Sequence, residues 1–145
     1  MGYQTPTSLG GGTGGGPIII YPEGTVVNPE SIQMDYTIIG AMSAPRVVYA
    51  GPSGLEVADK DTVSQQDKLI GVTITSAAAA GDTVKVVLEG KIDDPSFSFT
   101  PGPIWLGNAG MLTQTKPTSG LLAPIAVAIT STHINVNIGL AIKLA

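Results

Sequence analysis

From Tyr21 onward, short runs of β-branched residues are cut every eight to twelve positions by Gly, Pro, Asn or Asp. No helix survives that spacing, because an isolated helix needs about 12 to 15 uninterrupted residues. The same spacing suits strands joined by tight turns. It predicts strands near 25–27, 36–41, 46–50, 55–58, 69–75, 83–89, 97–99, 103–106, 111–114, 123–130 and 133–143. The one alanine-rich phrase, "TSAAAAGDTV", holds four alanines before Gly81-Asp82 ends it, so it reads as a loop or a tight packing contact.

An internal repeat organises these runs. Residues 46–90 line up with residues 103–139: Val47-Val48 with Ile104-Trp105, Gly54-Leu55 with Gly110-Met111, Ile70-Gly71-Val72 with Ile125-Ala126-Val127, and Thr75-Ser76 with Thr130-Ser131. The second copy lacks the "AAAAGD" insertion. "GNAG" at 107–110 is then the second copy's hairpin turn, in which Gly and Asn are expected to supply positive φ. Two four-strand units in one chain predict an all-β fold, a small β-barrel or sandwich with pseudo-symmetry.

The chain has 145 residues, enough for one domain with a tail. The first 22 differ from the rest: "TPTSLGGGTGGGP" loses too much entropy to order alone, so 1–22 reads as a Gly-rich N-terminal arm and 23–145 as the β domain. "PIIIYP" closes the arm with a β-branched run between prolines, and Ile18, Ile19, Ile20 and Tyr21 are the expected interface residues. "GGGTGG" satisfies G-x-G-x-x-G, yet no strand precedes it and no helix follows, which leaves no N-terminal cradle for a phosphate.

Charge and cysteine narrow the function classes. Seven Lys and Arg stand against eleven Asp and Glu without a basic cluster, which disfavours nucleic acid as a partner. Absence of cysteine removes disulfides, thiolate metal sites and cysteine nucleophiles. The N-terminus has no basic region followed by an apolar core, and "GLLAPIAVAI" is too short to span a bilayer, so a soluble chain without export information is expected. Charged residues make up 12% against 43% hydrophobic, so much of the exterior is Ser, Thr, Asn, Gln and Gly, or is covered by a partner.

No catalytic constellation stands out, and no enzyme activity, cofactor or metal is expected. His133 is the only histidine, and alternation puts it with Asn135 and Asn137 on one strand face, opposite Ile134, Val136 and Ile138. No G-x-S-x-G elbow accompanies it. Asp59 and Asp61, with Asp67 downstream, lack the Gly and Glu of a calcium loop and read as solvated carboxylates, while Asp93-Asp94 before Pro95 read as a turn. Phe97 and Phe99 read as core residues sharing one strand face.

Three phrases carry a family resemblance. Ala80-Gly81-Asp82-Thr83-Val84-Lys85-Val86 with Gly90, then Pro103-Ile104-Trp105-Leu106-Gly107-Asn108-Ala109-Gly110-Met111-Leu112-Thr113-Gln114, then Ile125-Ala126-Val127-Ala128, resemble a small β module of tailed-bacteriophage virion proteins. That module occurs in head decoration (cement) proteins and in fibre tips, and the resemblance spans about residues 46–140. It departs from the commonest form at Ala126, where Gly is often found. The resemblance implies a structural virion protein, assembled in the bacterial cytoplasm and placed on the capsid exterior, with the major capsid protein and its own copies as partners, as a homotrimer or a dimer. The alternative it leaves open is a head or tail fibre module for host-surface recognition through loops 59–67 and 114–121, whose polar side chains include Gln65, Gln66, Gln114, Thr115 and Ser119.

Overall fold

The computed structural model describes residues 30–145. Among them, chain order gives β1 (Ser31–Thr37), β2 (Val47–Gly51), β3 (Gly54–Val57), β4 (Leu69–Thr73), β5 (Thr83–Asp93), β6 (Gly102–Leu106), β7 (Leu112–Thr113), β8 (Leu121–Leu122), β9 (Pro124–Ala128), β10 (His133–Asn137) and β11 (Ile142–Lys143). Two single 3-10 turns, Val63–Gln65 and Asn108–Gly110, are the only helical pieces among the described residues. The fold is all-β, an antiparallel sheet curled into a half-barrel. No helix of the described residues is long and apolar enough to cross a membrane.

The strand order follows the repeat. The main sheet runs β3-β2-β4-β5-β10-β9-β6-β7, so the first copy's order is mirrored by the second across the β5–β10 pair. Both copies carry an irregularity at the same place: the β2–β4 ladder skips Ile70 and the β6–β9 ladder skips Ile125. The Ile74 N–H donates to the Lys85 carbonyl at 2.9 Å, and the Ile129 N–H donates to the His133 carbonyl at 2.8 Å. These matches uphold the sequence alignment over 70–76 and 125–131. Over the first hairpin the ladders correct it by one residue, since Val48 faces Gly71 where Ile104 faces Ala126, and Leu55 faces Ala50 where Leu112 faces Leu106. The cause is the longer turn of the second copy: the Leu106–Leu112 pair encloses five residues where the matching Ala50–Leu55 pair encloses four.

Two cores lie on opposite faces of the first unit. Val47, Val72 and Val87 pack with Ile104, Leu106, Ile125, Ile134 and Val136 in the larger core, which joins the two units. Val48, Leu55, Val84 and Val86 pack under Ile38 in the smaller one. Consecutive residues Val47-Val48 and Val86-Val87 are all fully buried because each neighbour feeds a different core, and this explains the unbroken valine runs. The second unit is one-sided: Ile134 and Val136 are buried while Asn135 and Asn137 face solvent, as the alternation predicts.

The expected strand 25–27 lies outside the described residues, and three of the other expected strands differ from what the structure shows. β1 starts at Ser31, ahead of the expected 36–41, because "SIQMDYT" is ordered by its ladder with β5 and leaves Ile32 and Met34 exposed. Beyond it, Ile38 forms a parallel bridge with Leu55, and the Ile39 N–H reaches the Leu55 carbonyl at 3.1 Å, curling the first unit round its core. The expected strand 97–99 is instead a turn and an extended passage, in which the Phe97 N–H bonds the Asp94 carbonyl at 3.0 Å. The expected strand 133–143 stops at Asn137, where Gly139 turns back to bond the Pro124 carbonyl, and Ile142–Lys143 pairs with β8.

Candidate functional site

The turn at 107–111 gathers the two units' loops. The Gly107 N–H donates to the Met111 carbonyl at 2.7 Å and the Met111 N–H to the Asn108 carbonyl at 3.0 Å. Closing so short a loop needs left-handed backbone, and it is supplied by Ala109 (φ 52°) and Gly110 (φ 71°). The expectation that Asn108 would take this role is corrected. Its side chain is engaged elsewhere, donating to Asp61 at 2.6 Å and to Asp59 at 3.3 Å.

Asp59 is what holds the turn. Its carboxylate accepts the Ala109 N–H at 2.9 Å and the Asp61 N–H at 2.8 Å. Burial pushes the Asp59 carboxyl up, but the N–H donors of Ala109 and Asp61 and the Asn108 amide outweigh it and hold the group below the usual carboxylate range. Asp61 is likewise lowered, first by the hydrogen bond from Lys60 and then by Asn108. These carboxylates were expected to be merely solvated; they are instead hydrogen-bond acceptors that lock one loop onto another. Among the described residues, no group of three or more His, Asp or Glu side chains is placed to hold a metal ion.

The loops expected to serve host recognition in the alternative reading, 59–67 and 114–121, also bond to the chain's own backbone. Gln65 is buried, 5% exposed, and its side-chain oxygen accepts the Asp59 N–H at 2.8 Å. Gln66 donates to the Ala141 carbonyl at 2.9 Å. Gln114 accepts from Thr100 N–H at 3.0 Å and donates to the Thr100 carbonyl at 2.6 Å. The structure thus brings 59–66, 107–113 and 114–117 together while committing their amides to backbone.

Two clefts share Met111, a residue 47% exposed, in their walls. One, of about 330 Å³, is lined by Lys60, Asn108, Met111, Thr113, Thr115 and Pro117 among others. The other, of about 150 Å³, lies between Pro45, Arg46, Phe97, Phe99, Met111 and Leu112. Phe97 and Phe99 are half-buried against the larger core, with ring centroids 5.1 Å apart and planes tilted by 51°. Nothing in the sequence marked Arg46 and Met111 as cleft residues, since Phe97 and Phe99 are about 50 positions from Arg46 and more than ten from Met111.

The remaining candidates lie apart from these clefts. His133 faces Asp93 at 3.7 Å on the outer surface of β10, and Asp93 also meets Lys91 at 3.2 Å. Asp94 forms the expected turn, accepting both the N–H and the hydroxyl of Ser96. The expected interface residues Ile18, Ile19, Ile20 and Tyr21 lie outside the described residues. No family model matches the chain, and no curated protein matches it.

Proposed function

We propose that this chain is a structural virion protein that decorates a phage head, binding and stabilising the major capsid protein as a homotrimer or a dimer. The reading comes from the resemblance of residues 46–140 to the β module of head decoration proteins. The observation that carries it further is the use made of the loop side chains. Asp59, Gln65, Gln66 and Gln114, which a recognition module would present to a ligand, are spent on the chain's own backbone. Such loops are rigid fittings, and rigid, sparsely charged surfaces suit burial against neighbouring subunits. The resembling phrases fall on strands and turns, so what they specify is shape, and the function proposed is mechanical with no chemical step.

A host-recognition role draws on one observation, the larger cleft with Lys60, Thr113 and Thr115 on its walls. The same experiment separates the two. Purified protein is mixed with empty heads assembled from major capsid protein alone, the heads are pelleted, and bound copies are counted. Binding in fixed proportion to capsid subunits is expected. Absence from heads, with recovery on host cells or envelope glycans, overturns decoration and makes the larger cleft the site.

A further inference from the structure

The smaller cleft has chemistry that the fold itself does not consume. Arg46 is the chain's single arginine. Its guanidinium donates from Nη1 to the Pro45 carbonyl at 2.9 Å, which fixes it beside the start of β2. Among the described residues no carboxylate reaches it, whereas Lys60, Lys85 and Lys91 each have one. Lys68, Lys116 and Lys143 are exposed and need none, but Arg46 is half-buried. A partly desolvated cation without an anion, in a chain of net charge -4, is an interaction left open.

What surrounds Arg46 narrows the occupant. Phe97, Phe99, Met111 and Leu112 make the rest of the wall, and about 150 Å³ is room for one apolar side chain. Apolar pockets that seat one anchor beside a guanidinium are the usual centres of protein interfaces, because the planar fork pairs a carboxylate with two parallel hydrogen bonds.

We propose that this cleft docks a segment of a partner protein bearing an apolar side chain next to a carboxylate. The apolar group sits between the two phenylalanines and Met111, and the carboxylate pairs with Arg46. That the partner is the major capsid protein rests on the decoration reading; the cleft's preference for an acidic, apolar segment does not. It adds a contact on the β domain to the one expected from Ile18 to Tyr21.

The test titrates the full chain with N-acetyl-Leu-Asp-amide and with N-acetyl-Leu-Asn-amide, reading the Arg46 Nε–H, the Phe97 and Phe99 rings and the Met111 methyl by NMR. Saturable shifts at all four with the aspartyl peptide are expected. Affinity should fall at least fivefold for the asparaginyl peptide and for Arg46→Gln, and Arg46→Lys should restore part of it. An unchanged thermal midpoint for Arg46→Gln shows that the fold is intact. No saturable shift, or equal shifts with both peptides, overturns the site. In the pelleting assay Arg46→Gln should bind heads about tenfold more weakly; equal binding overturns the cleft as a capsid contact. Peptide binding by a chain that ignores heads supports the cleft and removes the capsid as its partner.

Discussion

The carboxylate of Asp59 accepts the backbone N–H of Ala109 at 2.9 Å, linking the loop after β3 in the first unit to the hairpin turn of the second. Fifty positions separate the two residues, and neither belongs to a strand. Charge-assisted bonds of this kind contribute about 1.5 to 3 kcal/mol when well formed. Asp59→Ala removes three acceptor contacts at once and leaves the Ala109 N–H without a partner. A loss of about 2 kcal/mol in unfolding free energy is expected from denaturant titration, with the slope unchanged. Wild-type stability in that variant would show that the loops are held by the neighbouring backbone bonds alone.

The same carboxylate gives an acid response of defined sign. Its pKa in the fold is lowered from the model-compound value of 3.8, and a group stabilised in its charged form stabilises the fold at pH values above that number. That contribution declines as pH falls below 3.8 and is gone once pH passes the lower folded value. Asp94, lowered mainly by its bond from Ser96, acts in the same direction. Thermal midpoints of the wild type and Asp59→Asn should therefore differ by a constant amount from pH 7 to about 5 and converge in stronger acid. A gap that widens on acidification would contradict the assignment.

Gly110 and Ala109 make opposite predictions although they are adjacent and both left-handed. A Cβ on Gly110 would stand 2.7 Å from Val57 Cγ1 and 2.9 Å from the Val47 carbonyl, at φ 71°. Strain and clash together place the cost of Gly110→Ala at about 2 to 4 kcal/mol. Ala109 already bears the strain at φ 52°, so Ala109→Gly relieves it against a small entropic cost, for a gain of up to about 1 kcal/mol. Calorimetric midpoints of the two variants should move in opposite directions.

How far the fold was legible depended on where the information sits. Strand runs such as Val47–Gly51 and Leu69–Thr73 were marked by local pattern and bounded by turn residues, so β2 and β4 fell within two residues of their expected limits. β1 was misplaced because its order comes from the β5 ladder, and nothing in "SIQMDYT" announces a partner some 50 residues on. The repeat was visible, and its register over 70–76 and 125–131 with it, while the register of the first hairpin was not, since one extra turn residue shifts a ladder without changing the composition on either side. Asp59 and Asp61 showed their spacing, but the N–H that Asp59 serves is brought to it only by the folded chain. Arg46 was silent for the same reason: its meaning comes from Phe97, Phe99 and Met111, gathered from two other segments.

Val86 and Val87 are both 0% exposed, in sequence neighbours that point to opposite faces of β5. In a sheet with one solvated face, one of two adjacent positions would tolerate truncation. Here each supports a different core, so Val86→Ala and Val87→Ala should each cost about 1 to 3 kcal/mol. Because β5 lies in both cores, the two variants should unfold in single, similarly steep transitions rather than release one core first. A biphasic curve for either would show that the cores are independent.

Removal of residues 1–22 tests the expected division of labour between arm and domain. Both described cores are built from residues 36 and beyond, and β1, which borders them, begins at Ser31. The shortened chain, residues 23–145, should therefore keep its strand signature by circular dichroism and unfold cooperatively. Decoration through Ile18, Ile19, Ile20 and Tyr21 predicts that it no longer pellets with heads, since these residues supply the apolar anchor of the arm. Retention of full binding would move the anchor to the β domain and leave Arg46 and its cleft as the first surface to mutate. Loss of binding by the shortened chain, together with weaker head binding by full-length Arg46→Gln, would show two contacts acting together, with the arm holding the domain close enough for a weak cleft to be occupied.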